Sequence, residues 1–152
     1  MNEKVIIDLA YKWFEKMWTV PDFSLTEELV DSNYHPDWIN MELKGPELLK
    51  HEINYFRSIF PDLKYKIIES ITQESKVWLR YRAQGTQKGD FWGFKPTNKY
   101  VKFEGAAILY FNIKHKVTDL WESFCFYDIL EELKLAPPFW DLHNYLKDFN
   151  VK

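Results

Sequence analysis

Residues 100–126, YVKFEGAAILYFNIKHKVTDLWESFCF, decide the fold. Two runs rich in β-branched and aromatic residues, Tyr100–Ile113 and Lys116–Phe126, flank the pair Lys114-His115. Alternation with a period of two is the pattern of a strand with one covered face, and so short a connection predicts a tight hairpin. Leu63–Ile71 and Lys76–Thr86 have the same texture, so everything after Pro61 reads as an antiparallel meander. Gly85, Gly89 and Gly93 with Pro96 fill the long connection between the middle strands, where they permit sharp turns. Their spacing does not match a nucleotide-binding loop, and Gly85-Thr86 lacks the following helix that an anion cradle needs.

The first part of the chain has a different period. From Val5 to Trp18, Ile6, Leu9, Ala10, Trp13, Phe14 and Met17 recur every three or four positions, as on one face of an amphipathic helix that Pro21 ends. Ser24 and Glu27 have the spacing of a capping box, which predicts a short second helix reaching to about Ser32. Tyr34-His35-Pro36-Asp37-Trp38 reads as a loop or irregular strand, because Pro36 forces an extended residue before it. Gly45-Pro46 opens a third helix through Leu49, Ile53, Phe56 and Phe60, stopped by Pro61.

Helices followed by a meander give an α+β architecture, a bent antiparallel sheet whose inner face three N-terminal helices cover. A pocket survives where that cover is incomplete. Residues 1–136 form this domain. Residues 137–152 begin with Pro137-Pro138 and carry Phe139, Leu142, Leu146 and Phe149 at helical spacing, an extra C-terminal helix.

A length of 152 residues fits one domain with a sizeable core. Aromatic residues make up 18%, including seven Trp, so large rings must fill a core, line a pocket or cover an interface. The net charge of -3 provides no basic excess for phosphates or anionic lipid, which argues against nucleic acid and membrane partners. A hydrophobic small molecule fits better. One cysteine, Cys125, excludes an internal disulfide framework, fits a cytoplasmic setting and reads as a small buried hydrophobe. The first twenty residues alternate charge with bulk, unlike a signal peptide, so the mature chain is expected to start at or near Met1.

Gly45-Pro46-Glu47, then Phe60-Pro61-Asp62-Leu63, then Gly85-Thr86 with Gly89, Phe91, Gly93, Pro96 and Thr97, and finally Trp121-Glu122 follow one another in a recognisable order. Over roughly residues 3–135 the chain resembles the SnoaL-like polyketide (ester) cyclase family of the nuclear transport factor 2-like superfamily. That resemblance implies a cone-shaped fold with an apolar cavity, frequent homodimers, and a carboxylate acting as acid and base without metal or organic cofactor. It puts Glu122 where the cyclases keep their catalytic Asp. It also aligns Ala106 and Ile108 with two polar, substrate-orienting positions, and His35 with an early-loop Asn, so that the polar partners are mostly replaced.

Alternation supports Glu122 independently, placing Leu120, Glu122, Phe124 and Phe126 on one face, where desolvation would raise the carboxyl pKa toward neutrality. The competing reading is a solvated carboxylate, or one paired with Arg80 or Arg82. His35 is the candidate second polar group, against a loop histidine bonding local backbone. Trp13, Phe14, Trp38, Phe56, Tyr81, Trp92 and Phe124 are candidate pocket walls, with Ala106 and Ile108 beside them. Trp38 and Trp92 stand out because they lie in loops, whereas Trp78 and Trp121 could cover the outer sheet face in a dimer. His51, His115 and His143 are scattered, and no metal-ligand spacing is present. Three functions follow: an enzyme of the cyclase, isomerase or dehydratase kind, a non-catalytic pocket for an apolar ligand, or a dimeric module with a vestigial or tail-plugged cavity.

Overall fold

A helix that changes its pitch begins the chain. The computed structural model describes residues 2–147, and α1 spans Glu3–Tyr11, opened by Asn2, whose Oδ1 accepts from Lys4 N at 3.1 Å. It runs on without a break as a π-helix over Lys12–Trp18. The wider turn, rare in proteins and frequent near functional sites, brings Trp13, Phe14, Met17 and Trp18 all to the buried side. Thr19 Oγ1 donates to Phe14 O at 3.1 Å and accepts from Tyr65 N at 2.9 Å, while Glu15 accepts from Ile67 N at 2.9 Å. Those N–H groups belong to the edge strand of the sheet, so the helix end closes an edge that could otherwise pair with another chain.

α2 spans Ser24–Leu29, but not through the expected capping box. Asp22 Oδ1 takes the Ser24 N–H at 3.1 Å, so the cap comes from two residues earlier, and Glu27 instead pairs with Lys50 at 2.8 Å. α3 spans Gly45–Ile59, with Gly45 at φ +60° and Pro46 in the first turn. Arg57 near its end donates to the carbonyls of Trp18, Pro61 and Leu63, tying α3 to the π-helix and to the start of the sheet.

The sheet is an antiparallel meander, β1 (Lys64–Gln73), β2 (Lys76–Thr86), β3 (Tyr100–Phe111) and β4 (Val117–Phe124), in that spatial order. Register shifts at Ile67/Glu69 and Tyr110/Phe111 bend it. The β3–β4 hairpin closes through His115 at φ +59°, with Asn112 N donating to Lys116 O at 3.0 Å. The inner face carries Leu79, Tyr81 and Ala83 on β2, Phe103, Gly105 and Ala107 on β3, and Leu120, Glu122 and Phe124 on β4.

β4 stops two residues earlier than the alternation suggests. Phe126 belongs instead to α4, Phe126–Glu132, whose Ile129 is buried, as is Leu133 just beyond it. Cys125 sits at the turn between them and is exposed, not the buried hydrophobe expected. The tail is a 3-10 turn at Phe139–Asp141 followed by α5, Leu142–Leu146. Tyr127 anchors it by donating to Pro137 O at 2.6 Å, yet Phe139, Trp140, Tyr145 and Leu146 stay exposed. Phe149, the last apolar position assigned to this helix, lies outside the described residues. Among the described residues no helix is long and apolar enough to cross a membrane.

Candidate active site

Five segments converge on a cavity of about 350 Å³, a size suited to a small organic ligand. β4 contributes Leu120, Glu122 and Phe124, α3 contributes His51, Glu52, Tyr55 and Phe56, and the π-helix contributes Trp18. Trp38, Ile39 and Met41 come from the loop before α3, and Trp92 from the loop between β2 and β3. Among the described residues the lining includes six Trp, Tyr and Phe side chains and two carboxyls, with no lysine or arginine.

Each mouth loop has its own fastening. His35 Nε2 bonds to Met41 O at 2.8 Å, closing the loop that presents Trp38, Ile39 and Met41. In the other loop Gln87, fully buried, donates to the carbonyls of Gly89, Phe94 and Lys95 and accepts from Thr97 N and Oγ1. At its tip Phe91 and Phe94 exchange backbone hydrogen bonds across Trp92 (φ +47°) and Gly93 (φ +92°), the positive φ at both central residues that a type I′ turn requires. A bulky residue at positive φ is strained, and strain of this kind gathers at functional sites. Here it stacks Trp92 on Phe91 and sets it edge-on to Phe56.

Glu122 accepts a hydrogen bond from the hydroxyl of Tyr81. The two residues lie on β4 and β2, with β3 between them. Gly105, paired with Tyr81 across β2 and β3, makes the crossing possible, because a Cβ there would run into the Tyr81 phenol. Phe14 stacks on the Tyr81 ring at 5.2 Å and Tyr65 packs edge-on to it at 5.2 Å, so the phenol is held from behind. Burial pushes the Glu122 carboxyl up to about 7, against the opposing pull of the Tyr81 hydrogen bond. Glu52 on the facing helix is pushed up to about 8, by burial first and then by the charge of Glu122. Burial, then Glu52 and Glu122, raise Tyr34 well above the usual phenol range, and its buried hydroxyl has no hydrogen-bond partner among the described residues.

The sequence candidates therefore divide. Trp38, Phe56, Trp92, Phe124 and Glu122 line one cavity. Tyr81 does not line it but donates its hydroxyl to Glu122, which does, while Trp13 and Phe14 are core residues. Arg80 and Arg82 bind Glu104 on the outer face, Arg80 also Glu69, so neither neutralises Glu122. His35 does not line the cavity; the group opposite Glu122 is Glu52. Ala106 and Ile108 point the other way. Ala106 pairs with Arg80 and Ser123, and Ile108 with Trp78 and Trp121, all on the outer face, so the inward positions of β3 are Gly105 and Ala107. A one-residue slip in the resemblance turns every strand residue to the opposite side. Glu52 was missed although it left a signal: it falls within the stripe Leu49, Ile53, Phe56 of α3, where a carboxyl interrupts an apolar face.

Comparison with known proteins adds the relationship. The family model described as SnoaL-like polyketide cyclase matches residues 8–133. Comparison with curated proteins finds no match. TsrD from Streptomyces laurentii superposes with a TM-score of 0.81 at 14% identity, over 90% of this chain and 99% of that one. AclR from Streptomyces galilaeus gives 0.73 at 21% identity, over 97% and 94% of the two chains. A SnoaL-like polyketide cyclase from Agrobacterium tumefaciens gives 0.72 at 16% identity, over 84% and 97%. At these identities the likeness is one of fold, which carries many activities.

Proposed function

The chain belongs to the SnoaL-like polyketide cyclase family, and from its cavity we propose that it is a cofactor-independent enzyme of the cyclase, isomerase or dehydratase kind. Glu122 takes a proton from a carbon beside a carbonyl of a hydrophobic substrate and returns it. The observation that carries this reading is a carboxyl in an aromatic cavity, raised to about 7 and given one fixed donor, Tyr81. A base whose pKa lies near the working pH combines availability with strength. The aromatic walls exclude water and hold the apolar body of the ligand.

The test is exchange of the α-protons of 2-tetralone in D2O, followed by NMR, for the wild type and Glu122→Gln. Loss of exchange by about 100-fold or more with binding retained is the expected result, given the usual worth of a positioned acid or base. Equal exchange in both proteins rejects the acid/base role.

The alternative of a purely binding pocket drew its support from apolar side chains at Ala106 and Ile108, and these face away from the cavity. The plugged-cavity alternative needs the tail inside, and among its described residues none lines the cavity. A homodimer joined through the outer face, where Ile71, Trp78 and Trp121 are exposed, and a cytoplasmic setting belong to the same proposal. Sedimentation velocity tests the first.

A further inference from the structure

We propose that Glu52 is the second proton-handling group of this cavity, an acid that donates to the carbonyl oxygen while Glu122 takes the adjacent carbon-bound proton, so that the site selects uncharged carbonyl compounds over carboxylate anions. This rests on the reading of Glu122 as the base.

Geometry separates the two carboxyls by role. Both line one cavity, from opposite walls, β4 and α3. Glu122 has the Tyr81 hydroxyl to stabilise its charge, whereas Glu52 accepts no hydrogen bond among the described residues. The titratable groups near it among the described residues are Glu122 from β4, Tyr65 from β1, Tyr34 from the loop after α2, and His51 and Tyr55 on its own helix. Among the described residues no lysine or arginine lines the space, so none of them offsets two negative charges there. Two carboxyls so placed cannot both ionise cheaply, and the one with a donor ionises first. The order of their acidities, Glu122 about 7 and Glu52 about 8, agrees with this division.

The step balances with no outside reagent. Glu122 carboxylate accepts the α-proton as the C–H bond breaks, the electron pair moves into the new C=C bond, and the carbonyl oxygen takes the Glu52 proton. An enol forms, Glu122 ends protonated and Glu52 ends as the carboxylate, with the charge of the cavity unchanged. The reverse transfer returns both protons. A carboxylate ligand would bring a second negative charge into a space that already holds one and has no cation to meet it.

Carboxyl-resolved NMR titration of protein with 13C-labelled glutamate tests the assignment without any ligand, with Glu52→Gln and Glu122→Gln identifying the two signals. Glu52 is expected to remain protonated at pH 7 in the wild type and to titrate at lower pH in Glu122→Gln, where the neighbouring charge is gone. A Glu52 signal titrating near the ordinary value of about 4.3 overturns the proposal. An ordinary Glu122 signal overturns instead the base reading on which it rests, so the two failures are distinguishable. Binding of 2-tetralone and of 2-naphthoate at pH 7 tests the selectivity. At least tenfold weaker binding of the anion supports it, and equal or tighter binding of the anion rejects it. In the exchange reaction Glu52→Gln should slow turnover, leave KM unchanged and abolish the alkaline limb of the pH profile, which a structural role alone would not do.

Discussion

The hydroxyl of Tyr81 donates to the carboxyl of Glu122 across an intervening strand. Among the described residues the bond is the one side-chain hydrogen bond that Glu122 makes, so changing it should change acidity before it changes shape. Tyr81→Phe keeps the ring that Phe14 and Tyr65 pack against and removes only the donor. The Glu122 pKa is expected to rise by about one unit, the worth of a hydrogen bond to a charged group. NMR titration reads this shift directly, and the acid limb of any activity profile should move with it.

Gly105→Ala tests the passage that the phenol uses. The added methyl meets the Tyr81 ring, and its neighbour on the other side is the backbone carbonyl of Ser123. Overpacking of this kind costs about 1–3 kcal/mol, readable as a lowered midpoint of urea unfolding. Because the displaced hydroxyl no longer reaches Glu122, the variant should reproduce the acidity shift of Tyr81→Phe. A variant that is destabilised while Glu122 keeps its acidity would show that the tyrosine has another route.

Stability should fall in mildly alkaline solution. Glu52 and Glu122 are both held above the ordinary carboxyl value of 4.5, at about 8 and about 7. The folded protein therefore binds more protons than the unfolded chain between these values, and stability declines as pH rises from about 4.5 through about 8. Unfolding midpoints at pH 5.5 and pH 9 measure the loss. Glu52→Gln should raise stability at pH 9 and leave it nearly unchanged at pH 4.5, flattening the profile.

Gln87 lies outside the cavity yet should control one side of its mouth. Its side chain makes five hydrogen bonds within the loop that presents Trp92. Gln87→Ala strands those loop groups, at a cost on the order of 3 kcal/mol. It should weaken 2-tetralone binding while leaving the Glu122 titration in place. Gln87→Glu retains the two acceptor contacts and loses the donors, so partial rescue would locate the effect in Thr97 rather than in the carbonyls.

Local pattern made the strands legible. Alternation from Lys76 to Thr86 matched β2 to the residue, and the parity of Leu120, Glu122 and Phe124 followed from β4 alone. Ala106 and Ile108 were misplaced because they depended on alignment across a distant resemblance, where a shift of one residue reverses the face. α4 was missed because Phe126 and Tyr127 continue the aromatic texture of β4, while its helical signal, Ile129 with Leu133, begins only afterwards. Glu52 escaped because the helix was read by its apolar positions. The pairing of His35 with Met41 is a matter of loop closure over six residues, which neither period encodes.

A donor and an acceptor standing on alternate strands are joined through the curvature of the sheet between them. In a flatter sheet the distance from Tyr81 to Glu122 would differ, and with it the affinity of the carboxyl for its proton. The bulges at Ile67/Glu69 and Tyr110/Phe111 shape that sheet, so a mutation that straightens either strand is expected to alter the acid strength of Glu122, which NMR titration would read.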